Sequence, residues 1–412
     1  MTDPGLRGNR NFALLWSGNA VSLIGFHCTR IATPLLALAL THSPTIAGWA
    51  GFALSAPNLI FQAAAGVVAD HYDRIRVLRI CQLVGLLSAC VVTAAVVADP
   101  QGLALMIIVA AFLEGTVYVF IEICEVGAVR DVVPESQRKA AFSFLESEQP
   151  IALLIGRAAG GAIYGLARWL PFAVNAASYL YCLVALSLIR REQPATPVAP
   201  RARPSIRDIA AGVRVVWNEP LLRLSTTVAA LSNMIIQIVL LLILFELTYD
   251  GRPAWIAGVV LAAAGVGGIL GAVVAARITT RFPAALIYRT GLCVWTVLLI
   301  PIAVSDNAFV LALCSGGIGG IGVACSVALT IYQVEVIPEQ VFGRAVAAMG
   351  LMTNGAAALG SLAAGYLLSL LGPGPTGWIS LALMCLLAGI VNVSRSARPT
   401  ALRSASYGAP LE

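Results

Sequence analysis

The sequence predicts an all-α membrane protein of twelve transmembrane helices arranged as two pseudo-symmetric six-helix bundles. Three observations carry this expectation. Of the 412 residues, 59% are hydrophobic and only 11% charged, with a mean hydropathy of +0.88; a soluble chain needs far more charge to cover its surface. Apolar runs of about 20 residues or more recur along the chain, the length that crosses a hydrocarbon core of roughly 30 Å. Local motifs from the first half reappear in the second at a near-constant offset.

Spans are predicted at 12–40, 46–69, 77–98, 103–129, 140–166, 170–189, 221–248, 254–276, 285–304, 308–334, 345–371 and 376–394. They must be helices: only helices and closed barrels satisfy every backbone group in lipid, and the runs lack the alternation of a barrel strand. Minimal turns at 41–45, 99–102, 167–170, 249–253, 305–307 and 372–375 connect spans on one side, and longer, charged segments connect them on the other. Of the 26 Lys and Arg residues, only Arg168 and Arg252 fall on the short-turn side, and Arg30 and Arg157 lie inside spans. The rest mark the opposite side, with both termini, as cytoplasmic. Residues 1–11 show no cleavage site, so the first span is expected to stay as an anchor. Heavy use of Arg against a single Lys, Lys139, together with abundant Ala, points to a GC-rich bacterial source and hence to the bacterial inner membrane.

The longest connection, 190–220, is Pro- and Arg-rich at first. Ile206, Ile209, Val213 and Val216 then recur at helical spacing among Arg207, Asp208 and Arg214, which predicts an amphipathic helix over 205–217 at the interface. The chain therefore divides into an N-terminal bundle (1–189), a cytoplasmic linker (190–220), a C-terminal bundle (221–394) and a cytoplasmic tail (395–412). Val133-Pro134-Glu135 is matched 204 positions later by Ile337-Pro338-Glu339, and at the same offset Gly156 meets Gly360 and Gly161 meets Gly365. A parallel repeat of six-helix bundles is a recurring transporter architecture, with its substrate site between the halves near the bilayer midplane.

The segment Gly66-Val67-Val68-Ala69-Asp70-His71-Tyr72-Asp73-Arg74-Ile75-Arg76 resembles the signature that the major facilitator superfamily carries between its second and third spans. Gly66, Asp70, Arg74 and Arg76 match it. Asp73 replaces a common Gly, a variant similar to the branch of macrolide and enterobactin exporters. The resemblance implies that these residues latch the two halves in the outward-facing state. A second copy keeps Gly271, Arg277 and Arg281 but has Ala275 at the acidic position. In span five, Gly156-Arg157-Ala158-Ala159-Gly160-Gly161 resembles the antiporter signature Gly-Pro-x-x-Gly-Gly, with Arg157 in place of Pro. Gly156, Gly160 and Gly161 still form small-residue patterns that pack helices closely. Taken over the whole chain, the resemblance implies the superfamily's fold and a secondary transporter. Its expected work is proton-coupled efflux of amphipathic small molecules, including drugs, by alternating access.

Charges at membrane depth are the candidate site, because each is costly unless it serves a function or finds a partner. Counted at about 1.5 Å per residue, Glu114 in span four, Arg30 in span one and Arg157 in span five all reach roughly 14–16 Å from the short-turn side. They are expected to pair as a buried Arg30–Glu114–Arg157 cluster, with His27 one turn away. Two readings stay open: a static lock between helices, or a substrate site whose positive excess favours an anionic or zwitterionic group. Glu122, Glu125, Glu146 and Glu148 cluster nearer the cytoplasm. They are either proton carriers or partners of Arg130, Arg138 and Lys139 at the membrane edge. Asn233 and Gln237, four apart in span seven, either face substrate or bond neighbouring helices.

The nine Cys all lie in apolar runs without a C-x-x-C pair or a Cys/His cluster, so no metal or cofactor is expected. No nucleophile–base pair or cofactor motif suggests an enzyme, and the glycine-rich runs 265–271 and 316–322 lack the Lys-Ser/Thr of a Walker loop. The net charge of +6 reflects the basic side rather than nucleic-acid binding. The expected partners are a small-molecule substrate, protons and the bilayer, with the chain acting as a monomer. Proton-independent uptake or exchange stands as an alternative, as does a non-transporting scaffold or sensor, though a scaffold has no need of midplane charges.

Overall fold

The computed structural model describes residues 6–98, 103–189, 213–249 and 253–394. These form twelve long helices: α1 (Arg10–Thr41), α2 (Pro44–His71), α3 (Arg74–Ala98), α4 (Leu103–Val132), α5 (Arg138–Leu166), α6 (Leu170–Ser187), α7 (Pro220–Tyr249), α8 (Ala254–Ile278), α9 (Ala284–Val304), α10 (Ala308–Val336), α11 (Glu339–Leu371) and α12 (Pro373–Val393). Their ends obey local chemistry. The Asn9 side chain accepts from the Phe12 N–H at 3.0 Å to start α1, and Ser43 and Asn307 cap α2 and α10 in the same way. Gly372 ends α11 at φ 79°, a conformation that a side chain would strain.

Ten of these helices are long and apolar enough to cross a membrane singly, and α2 joins them if its two bent segments count as one span. The charge-bearing α5, which carries Glu146, Glu148 and Arg157, falls outside that set. Of the predicted linker helix at 205–217, residues 205–212 lie outside the described residues, as do 190–204 and the tail 395–412. Residues 213–218 are helical, and Val216, 1% exposed, packs with Leu222 of α7, Ile337 just past the end of α10 and Met349 of α11.

Each half repeats one packing plan. In the first, α1 lies against α5 and α6, α2 against α4, and α3 against α4 and α6; in the second, α7 lies against α11 and α12, α8 against α10, and α9 against α10 and α12. The halves meet along two equivalent pairs, α2 with α11 and α5 with α8. Both contacts depend on missing side chains. A Cβ at Gly258 would sit 2.5 Å from the Gly161 Cα, and one at Gly365 would sit 3.0 Å from the Gly48 Cα. Gly161 and Gly365 are the repeat-related glycines of the sequence. Gly156 and Gly160 instead pack α5 onto α1, against Ile24, His27 and Cys28. The glycine-rich runs of α8 and α10 press on each other through Gly267 with Gly316 and Gly271 with Gly320.

These contacts close only the short-turn side. The α2–α11 seam runs from Gly48 and Gly365, past a Trp49 Nε1 bond to Tyr366 Oη at 3.4 Å, to Leu59 and Gly355. Beyond it, a Cβ at Gly66, Gly343 or Gly350 would meet nothing within 4 Å. On the basic side these three glycines have no neighbour from the other half. The Leu residue in a Gly48→Leu or Gly258→Leu variant would wedge the closed seam. Either is expected to lower the thermal midpoint, because overpacking costs about 1–3 kcal/mol. Each should also raise labelling of Ser361→Cys, a position 6% exposed in the α2–α11 seam, by a maleimide added from the short-turn side; unchanged labelling would contradict a closed seam.

Candidate substrate cavity and its polar clusters

The predicted Arg30–Glu114–Arg157 cluster does not form. Glu114, 7% exposed, turns into the first bundle, where its Oε1 accepts from Asn175 Nδ2 at 2.7 Å, Tyr179 Oη at 2.8 Å and Thr29 Oγ1 at 3.4 Å. Three neutral donors on α1 and α6 thus satisfy it without an arginine. The reason is rotational. Depth along a helix says nothing of direction around it, and successive residues point roughly 100° apart. Thr29 faces Glu114, so its neighbour Arg30 is carried round toward α2, α5 and the second half.

Arg30 and Arg157 do come together. Both line a small cavity of about 40 Å³ that the second half closes with Gln237 and Ser361. Both are half-buried, and among the described residues neither has an ion-pair or hydrogen-bond partner. Gln237 Nε2 donates to Ser361 Oγ at 3.0 Å, joining α7 to α11 while lining this cavity. Asn233 donates to the Ala229 carbonyl of its own helix.

Arg157 also lines a larger cavity of about 640 Å³ between the halves. From the first half it receives Gln149, Leu153 and Arg157. Its opposite wall is apolar, built by α7, α8, α9 and α10 with Val239, Ile243, Leu261, Trp295 and Ile318 among them. Gln149 connects this space to the polar interior of the first bundle. Its Oε1 lies 3.4 Å from His27 Nε2, and its Nε2 donates to Tyr118 Oη at 2.6 Å.

The carboxylate group predicted nearer the basic side gathers around one pocket, with its members differing in burial. Glu122 and Glu146 are exposed, whereas Glu148 is 4% exposed and Glu125 turns inward with it. All four line one pocket of about 180 Å³ with Asn19, Ser22 and Gln149, and the Glu125 and Glu148 carboxyls interact directly. Glu125 Oε1, Glu148 Oε1 and Asn19 Nδ2 are buried without hydrogen-bond partners. Among the described residues none of the four carboxylates pairs with Arg130, Arg138 or Lys139. Arg138 instead donates to the Arg130 carbonyl, and the Arg130 guanidinium lies over the Phe142 ring.

The latch residues do not join the halves here. Arg74 Nη1 pairs with Asp131 Oδ1 at 2.8 Å and its Nε donates to the Ala69 carbonyl, which ties α2 and α3 to α4. The Arg76 backbone N–H is accepted by Asp73 Oδ1 at 3.0 Å, and Asp70 has no partner among the described residues. Among the described residues, Asp70, Arg74 and Arg76 make no hydrogen bond or ion pair to the second half. Gly66, the glycine of that signature, has open space at its Cβ position.

The sequence reading missed Thr29, Asn175 and Tyr179 as partners of Glu114. Asn175 and Tyr179 stand four apart in the apolar run of α6, on one helical face, and that spacing was the available signal. Asn19, Ser22 and Gln82 were missed as well: Ser22 Oγ donates to Gln82 Oε1 at 3.1 Å beside the buried carboxyl pair.

Two bundles related by a repeat, meeting around a cavity at mid-membrane, define a multi-pass membrane transporter rather than an enzyme. The sequence profile of the Major Facilitator Superfamily matches residues 15–334, and the chain belongs to that family. It is 25% identical to the multidrug efflux pump Tap of Mycolicibacterium fortuitum over 395 residues, 92% of each chain. Among solved structures it is similar to the nucleoside transporter NupG (13% identity, TM-score 0.71, 93% of this chain and 98% of that one). It is also similar to a bacterial homologue of the iron transporter ferroportin (17% identity, TM-score 0.70, 94% and 99%).

The Glu114 centre yields a stability test. Glu114→Leu strands the Asn175 and Tyr179 donors in the bundle core, at about 1–3 kcal/mol for each unsatisfied group. Glu114→Gln keeps an acceptor oxygen. Thermal unfolding in detergent is therefore expected to show a large loss for Glu114→Leu and a small one for Glu114→Gln. Equal losses would mean that the charge, not hydrogen bonding, holds this centre.

Proposed function

We propose that this chain is a secondary exporter of amphipathic small molecules in the bacterial inner membrane, driven by proton antiport through alternating access. The 640 Å³ cavity carries the reading: its apolar wall from one half faces Gln149 and Arg157 from the other, a surface suited to a molecule with both apolar and polar parts. Likeness to a multidrug efflux pump over 92% of the chain supports the same substrate class. The arginine-rich side is the cytoplasmic one by the distribution of basic residues, so both termini, the linker 190–220 and the tail 395–412 face the cytoplasm. The cavity is then open toward the cytoplasm, the state in which an exporter loads. In the opposite state, Asp70, Gly66 and Arg76 are placed to engage the second half as a latch. A single chain supplies both cavity walls, which supports a monomer.

Glu125 and Glu148 are the proton site of this scheme. Two carboxylates in contact at membrane depth repel one another, and one proton held between them relieves that repulsion. Their pocket and the substrate cavity share Gln149, which gives protonation a physical route to substrate binding.

Proteoliposomes carrying a pH gradient test this. Substrate-dependent proton movement is expected with lipophilic candidates, lost by at least tenfold in Glu125→Gln and Glu148→Gln and retained in Glu114→Gln. Substrate flux that ignores the gradient in all of these proteins would eliminate proton coupling and leave exchange.

A further inference from the structure

The two arginines at the cavity pose a chemical question. Ionised side chains at membrane depth are ordinarily paired, since an unpaired one is among the costliest groups a bundle can hold. The carboxylate best placed by depth to neutralise them, Glu114, is fully engaged by Asn175, Tyr179 and Thr29 on the far side of α1. Glu122, on α4, shares the field of Arg30 but is exposed and makes no ion pair with it among the described residues. Two cations from α1 and α5 therefore converge on one small space without a counter-charge at contact distance.

That space has the makings of a binding site. Gln237 and Ser361 close it from the second half, so a group held there touches both bundles. Guanidinium groups offer forked donors matched to planar or tetrahedral oxyanions. Arg157 faces the 40 Å³ cavity and the 640 Å³ cavity alike, so the polar space opens onto the apolar one. The small cavity fits a headgroup, and the larger one fits the body behind it.

We propose that the substrate is an amphipathic organic anion, its carboxylate, sulfonate or phosphate held by Arg30 and Arg157 and its apolar body seated against α7, α8 and α10. This assignment rests on the transport reading above and narrows it. Lipophilic cations are excluded by the same charges. Binding of the anion supplies the missing counter-charge and draws Gln237 and Ser361 of the second half toward the arginines, so occupancy itself favours the halves closing on substrate.

The test uses the full chain in an uncharged detergent and two fluorescent probes of equal chain length: an ω-dansylamino fatty carboxylate and the corresponding ω-dansylamino alkyl trimethylammonium. The carboxylate is expected to bind at least tenfold more tightly. Arg30→Gln and Arg157→Gln are each expected to weaken it about tenfold and to leave the ammonium unchanged or tighter, with Arg157→Lys retaining part of the preference. Their thermal midpoints should equal or exceed the parent's, since each removes an unpaired charge from the membrane interior. Equal binding of the two probes by the parent overturns the proposal without recourse to any variant, and so does an anion preference that survives both Gln substitutions. Flux separates the two readings. Movement of the ammonium but not the carboxylate in proteoliposomes overturns the anion site while upholding transport. Arginine-dependent carboxylate binding with no flux of either probe upholds the site and overturns the transport reading.

Discussion

The close approach of helix backbones at Gly161 with Gly258 and at Gly48 with Gly365 is the constraint on which the molecule depends. In lipid there is no hydrophobic force between apolar helices, so their association rests on packing, and packing at this distance requires the absence of side chains. The two contacts are related by the internal repeat and fix the halves to each other at one end only. The cavity between the halves lies beside that closure and is walled by both of them.

Within this frame the two halves have divided the labour. The first holds the Glu114 centre, the Glu125–Glu148 pair, the His27–Gln149–Tyr118 chain and both arginines of the small cavity. The second offers an apolar wall whose helices α8 and α10 are pressed together by glycines. A cavity between such halves is amphipathic by construction. Satisfied groups such as Glu114 act as joints inside a bundle, and groups left unsatisfied at the cavity wall are the ones with binding capacity to spare.

Much of this was legible in the chain. Helix bounds agree with the predicted spans to within a few residues because apolar run length is dictated by bilayer thickness. The repeat at Gly156 with Gly360 and Gly161 with Gly365 is reproduced as equivalent packing: Gly156 and Gly360 press on α1 and α7, Gly161 and Gly365 on α8 and α2. The site was legible only in part. Arg30 and Arg157 do converge and Gln237 joins them, while Glu114, at matching depth, belongs to another centre. Depth is counted along one helix, whereas partnership depends on the rotation of two.

The sequence by itself determined that the chain crosses the membrane many times, that its halves are copies, and that its costly charges gather in the first half. These are properties of composition, periodicity and spacing, each set by the bilayer acting on one helix at a time. Only the tertiary structure decided which charges meet, which are satisfied by neutral donors, and which remain open to a ligand. Those outcomes depend on how each helix is turned against its neighbours, and that rotation is set jointly by every packed face in the bundle.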